Sequence, residues 1–190
     1  MSAPEGVRIS ECALAILEIC AARGRVDELA AYARSCGMEL PGIGRVVNGA
    51  GRLILCVRPG RWLILTPPAS ASPDEAIAGW RPAGAALGAA VDLSAGCDAF
   101  LLQGTRTVDV LARGCRLDLD PQLFLQGHAA ATIMAQVPVT LASLPAGMLL
   151  LTPASTSRHF AEWLSNAAQA YGLMPQSTIS VADLCRSRMQ

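Results

Sequence analysis

Lysine is absent from the 190 residues: all 15 basic side chains are arginine, and 15 carboxylates balance them. The arginines are spread along the chain, so no basic stripe follows a nucleic-acid backbone, and no nucleic-acid partner is expected. A Walker motif is excluded with the lysine it needs, and G-x-G-x-x-G is missing too. Charge of either sign is scarce, at 16% against 52% hydrophobic, where soluble domains average about 25% charged. A surface so poor in charge predicts that part of it is covered. No apolar run approaches the roughly 18 residues of a membrane span, so the expected cover is another protein and no membrane. The run Cys12–Cys20, CALAILEIC, has the look of a secretory core, but Glu5 and Glu11 precede it and Glu18 interrupts it. A cytoplasmic chain is expected on that ground. The seven cysteines, 12, 20, 36, 56, 97, 115 and 185, are odd in number and never spaced C-x₂₋₄-C. They read as free thiols in a reducing compartment, not as a zinc site or a disulfide framework.

What is present reads as alternating strands and helices. An apolar strand is predicted at 13–21 and a helix at 26–36, where Val26, Leu29, Ala30 and Ala33 share one face and Gly37 ends it. Strands at 52–57 and 61–66 flank Pro59-Gly60, the clearest hairpin in the chain. A short helix at 74–81 and a strand at 89–93 follow. The order then recurs, with a strand at 98–103, a helix at 105–113, strands at 129–135, 137–142 and 148–152, and a long amphipathic helix at 156–171. The expected fold class is α+β, two ferredoxin-like βαββαβ halves at about 8–94 and 95–172 packed as one pseudo-duplicated domain. Residues 173–190 are expected to form a C-terminal arm with a short helix near 181–186.

Candidate chemistry is thin. Gly104 before Thr105-Arg106-Thr107 would let backbone N–H groups meet an anion; the simpler reading is that Thr105 caps the helix, Gly114 ends it, and Asp92 to Cys115 is scaffold. Asp118 and Asp120 point the same way in an extended LDLDP segment, either as an acid–base or metal pair or as a solvated face. His128 and His159 have no ligand-spaced neighbours, and no G-x-S-x-G elbow is present. Trp163 reads as core, and Trp62, just after a turn, as core or as an interface anchor. No catalytic, cofactor-binding or metal residue is assigned.

The segments DLSAGCDAFLLQGTRTVDVLARGCRLDLDPQLF (92–124), GHAAATIMAQVPVTL (127–141) and SRHFAEWLSNAAQAYG (157–172) resemble the gamma-subunit family of heterotetrameric sarcosine oxidases. The matching positions are Asp92-Leu93-Ser94, Leu111 to Cys115, Leu117 to Phe124, Gly127 and Trp163-Leu164, with Leu40-Pro41 and RPGRWLIL (58–65) fitting the amino-terminal half. The resemblance spans Ala13 to Gly172 and implies a fold related to the folate-binding domain of the glycine-cleavage T-protein. It implies alpha, beta and delta subunits as partners. FAD, FMN, NAD, zinc and tetrahydrofolate would belong to those subunits and none to this chain. The K-G-C-x-G-Q signature of folate-dependent relatives is replaced here, since Gly114-Cys115 runs into Arg116-Leu117. The leading expectation is a non-catalytic subunit of a sarcosine- or N-methylamine-demethylating oxidase, able to self-associate when isolated. A stand-alone folate or one-carbon protein would instead use Asp92, Asp98 or Asp118 toward a pterin, and a thiol enzyme would use Cys97 or Cys115.

Overall fold

The computed structural model describes residues 6–49, 51–68 and 86–185. The first half holds β1 (Val7–Ala13), β2 (Ala15–Ala21), α1 (Val26–Ser35), β3 (Arg45–Gly49), β4 (Arg52–Arg58), β5 (Arg61–Thr66) and β6 (Gly88–Asp92). The second holds β7 (Cys97–Gln103), α2 (Thr107–Ala112), β8 (Ala129–Met134), β9 (Val137–Leu144), β10 (Gly147–Pro153), α3 (Ala154–Gln169), β11 (Leu173–Ser180) and α4 (Val181–Cys185). The architecture is α+β and mostly sheet. The larger sheet runs β11-β1-β7-β10-β9-β8 and the smaller β3-β4-β5-β2-β6.

Side-chain alternation sets the layers. Along β4, Leu53 and Leu55 turn inward to meet Ala99, Leu101 and Leu149 of the larger sheet. Ile54 and Cys56 turn outward onto Leu29 and Ala33 of α1. In the larger sheet Phe100, Leu102 and Leu150 face Val110 and Leu111 of α2 and Phe160 and Leu164 of α3. The two sheets therefore pack face to face with helices outside both, and the central strands are buried on both faces. That consumes apolar residues without any partner, so part of the charge deficit has an internal cause.

The hairpin β4–β5 forms as expected, with Gly60 at φ +66°, and α1, α2, α3 and α4 fall within a few residues of their expected positions. The apolar face of α3 buries Phe160, Leu164, Ala167 and Ala168. Four differences stand out. The strand expected at 13–21 forms as β2, but another strand, β1, precedes it across Leu14, where the chain leaves the larger sheet and enters the smaller. The β1 sequence, VRISECA, mixes Arg8, Ser10 and Glu11 among apolar residues and was not legible as a strand. β3 is a five-residue edge strand with only Val46 buried, too short to signal itself. Between α1 and the end of β5, and again between α2 and α3, three strands stand where a βαββαβ plan has two. The tail expected as a peripheral arm contributes edge strand β11, parallel to β1, with a register shift opposite Pro175, which has no N–H to give the ladder. The helix expected at 74–81 and Trp80 lie outside the described residues.

Candidate functional site

The DLS segment is a structural clasp. Asp92 Oδ1 accepts hydrogen bonds from the Ser94 backbone N–H at 2.8 Å and its hydroxyl at 2.6 Å. Ser94 Oγ in turn accepts from Ile16 N–H at 2.9 Å, so the end of β6 is tied to β2. The Ser94 hydroxyl and then its N–H hold the Asp92 carboxyl below its ordinary value. This contribution is fully present above the unfolded-state pKa of about 3.9 and is lost as pH falls through the lower folded value. Asp92→Ala is accordingly expected to lower Tm at pH 7, with the gap to the natural chain closing as pH is taken below the ordinary aspartate range. A gap independent of pH would remove the carboxylate from the clasp.

Around Gly104 the helix ends before Gly114 as expected, but its start is not capped as expected. Thr105 does not cap α2: the N-cap is Arg106, without a side-chain bond, and the helix has only six residues. The Thr107 hydroxyl instead donates back to the Gly104 carbonyl at 3.0 Å. Gly104 is required by a close backbone approach, since a Cβ there would lie 2.0 Å from the Gly6 carbonyl oxygen. The Arg106 guanidinium pairs with Asp109 at 3.1 Å and lies 5.2 Å from the centroid of the Tyr171 ring.

The three aspartates offered to a pterin lie on separate elements. Asp92 closes edge strand β6, exposed Asp98 is the second residue of β7, and exposed Asp118 sits in the loop after α2. Asp118 Oδ1 accepts from Asp120 N–H at 3.0 Å, and Asp120 Oδ1 from Gln122 N–H at 2.7 Å, so this pair shapes turns on a solvated loop. His159 is exposed. His128 meets Phe124 edge-on at 5.7 Å, and its Nε2, like Thr152 Oγ1, is buried without a hydrogen-bond partner. Trp62 is core, 4% exposed, its indole N–H donating to the Pro41 carbonyl at 2.9 Å. Trp163 is half-buried and stacks on Phe160 at 5.8 Å.

Among the described residues nothing activates the thiols weighed as nucleophiles. Burial, then Asp98 and Glu18, push Cys97 up, and burial pushes Cys115 up against a weaker lowering bond with the Leu117 backbone. Cys12 is pushed up to about 12 by burial and Glu11. Timed alkylation of the folded chain near pH 8, read by mass spectrometry, is expected to label exposed Cys36 first and Cys12 and buried Cys56 last; selective labelling of Cys97 or Cys115 would revive the thiol reading. Among the described residues no three His, Cys, Asp or Glu side chains are grouped to hold a metal. No helix there is long and apolar enough to cross a membrane.

The feature that the sequence did not announce is a cleft of about 580 Å³ between the two sheets, at the end carrying the Arg58–Arg61 turn. Ile16 and Leu63 line it from the smaller sheet, and Ile133, Thr140 and Leu151 from the larger. Glu18 and Arg61, 3.5 Å apart, and Arg58 add charge to this apolar lining. The available signals were Glu18 interrupting an apolar strand and two arginines bracketing Pro59-Gly60.

A chain of the heterotetrameric sarcosine oxidase from Corynebacterium sp. U-96, solved in complex with pyrrole 2-carboxylate, shares this fold. It matches with a TM-score of 0.76 at 25% identity, covering 92% of this chain and 90% of that one. The fold is thus an α+β, mostly-sheet architecture that occurs in an oxidase assembly. Among curated proteins, the sarcosine oxidase gamma subunit of Corynebacterium sp. strain P-1 is 30% identical over 149 residues, 77% of this chain and 72% of the relative. That of an Arthrobacter species is 34% identical over 114 residues, 59% of this chain and 55% of the relative, so this match spans just over half of the Arthrobacter protein. No family model matches. On the strength of these relatives the chain belongs to the sarcosine oxidase gamma-subunit family.

Proposed function

We propose that the chain is the non-catalytic gamma subunit of a heterotetrameric, flavin-dependent oxidase that demethylates sarcosine or a related N-methyl amine. Its task is assembly and structural support. The observation that carries this reading is the joint match, 30% identity across 72% of a gamma subunit and a TM-score of 0.76 to a chain of the heterotetramer. The fate of the candidate side chains supports the structural half of it. Asp92, Gly104, Asp118 and Asp120 are each occupied in holding the backbone. The partners are alpha, beta and delta subunits, which hold FAD, FMN, NAD, zinc and tetrahydrofolate, and the complex works in the cytoplasm.

We also read the domain as an internal duplication. The order β3-β4-β5-β2-β6 corresponds, strand for strand, to β8-β9-β10-β7-β11, with β1 inserted before the last strand of the larger sheet. Each half is then a ferredoxin-like unit enlarged by one strand. Two such units back to back present outer helices and edge strands to neighbours, which suits a part whose work is contact.

Co-expressing alpha, beta and delta with and without this chain tests the role. Omission is expected to cut the yield of assembled complex while sarcosine-dependent peroxide production per flavin, in whatever complex does assemble, stays unchanged. A fall in turnover per flavin with assembly intact would mean that the chain contributes to catalysis.

A further inference from the structure

The inter-sheet cleft sets charged side chains against an apolar wall. Its apolar wall continues to the outside: Ile133 is 38% exposed and Pro138 beside it is exposed too. A small molecule seated inside would leave both wet, whereas a chain segment crossing the opening would cover them. The charge at the cleft is unbalanced. Glu18 answers one guanidinium, that of Arg61, at 3.5 Å, while the exposed guanidinium of Arg58 has no partner among the described residues. The occupant that completes this arrangement carries an apolar side chain for the inner wall and, next to it, a carboxylate for the arginines.

We propose that this cleft receives a segment of a partner subunit in which an apolar residue adjoins an aspartate or glutamate, the apolar side chain entering between Leu63 and Ile133 and the carboxylate meeting Arg58 and Arg61. The proposal rests on the subunit reading above and adds to it the surface and the chemistry of the contact. It also gives the hairpin tip a role. Arg58 and Arg61 are the exposed end residues of β4 and β5, flanking the Pro59-Gly60 turn, so changing them leaves the buried part of both strands intact.

The experiment uses the assembled complex. A benzophenone amino acid placed at position 133 is photo-activated in the purified complex and the cross-linked peptides are sequenced. In parallel, the double variant R58E/R61E is co-expressed with the other subunits and its retention is measured across a salt series, after its melting temperature has been shown to match that of the natural chain. The expected result is a cross-link to one partner subunit at a peptide bearing an acidic residue, and roughly tenfold weaker retention of the double variant at low salt, narrowing as salt rises. A complex that forms with undiminished affinity in the double variant, with position 133 cross-linking within its own chain or to a second copy of it, would overturn the proposal and leave the subunit reading standing. If no subunit is retained even by the natural chain, the subunit reading falls and this contact with it.

Discussion

Gly104→Ala is expected to lower the stability of the chain by about 3 kcal/mol or more, and its Tm by about 6–12 °C. Gly104 sits at φ +124°, a conformation that costs an L side chain, and its Cβ would lie 2.0 Å from the Gly6 carbonyl oxygen and 3.3 Å from Val7 Cα. Both obstacles are backbone, so no rotamer relieves the clash. Relief requires moving the start of β1, which is paired on one side with β7 and on the other with β11. The strain is thereby passed to three strands of the larger sheet. Gly96→Ala is the control, because nothing lies closer to its added Cβ than the Leu93 carbonyl oxygen at 3.5 Å and its backbone is ordinary; it is expected to change stability by less than about 0.5 kcal/mol. Thermal melts followed by circular dichroism distinguish the two. Equal, small effects would show that the approach of Gly6 to Gly104 is not a constraint.

The second large effect is expected for Phe160→Ala, at about 3–5 kcal/mol. Phe160 is fully buried under α3, edge-on to Phe100 at 6.0 Å and stacked with Trp163 at 5.8 Å. Truncation removes the transfer energy of the ring and leaves a cavity between α3 and the larger sheet that Trp163 cannot fill, since that indole is already against Gly114, whose Cβ would come within 2.5 Å of it. The unfolding midpoint in urea should fall with little change in slope, because the surface exposed on unfolding is unchanged. A loss under about 1 kcal/mol would mean that α3 is held by its other contacts and that Phe160 is not the centre of this core.

Much of the frame was legible in the sequence wherever a local signal had a single physical cause. The Pro59-Gly60 turn had to join two apolar strands, and Phe160, Leu164, Ala167 and Ala168 could share a face only on a helix. Legibility failed where pairing was distant. β1 is a strand because Gln103 and Leu102 of β7 and Leu173 of β11 lie beside it, and its own residues, with Ser10 fully buried, carry no clean alternation. The same holds for β11, whose partner is more than 150 residues away in sequence. The low charged fraction has a cause inside the fold. Strands such as RLILCVR are buried on one face by the opposing sheet and on the other by α1, and that by itself lowers the charged fraction. The cleft was hidden because Glu18, Arg58 and Arg61 come from three strands, β2, β4 and β5, and only pairing of β2 with β5 brings the first and last together.

The central claim, that the chain works as one subunit of an oxidase complex, is tested most directly by native mass spectrometry of the chain affinity-purified from its own host. The account predicts a single assembly that contains this chain once, is coloured by flavin and releases peroxide when given sarcosine or a related N-methyl amine. Recovery of the chain alone and colourless, from cells in which flavin-bearing subunits are present, would contradict it.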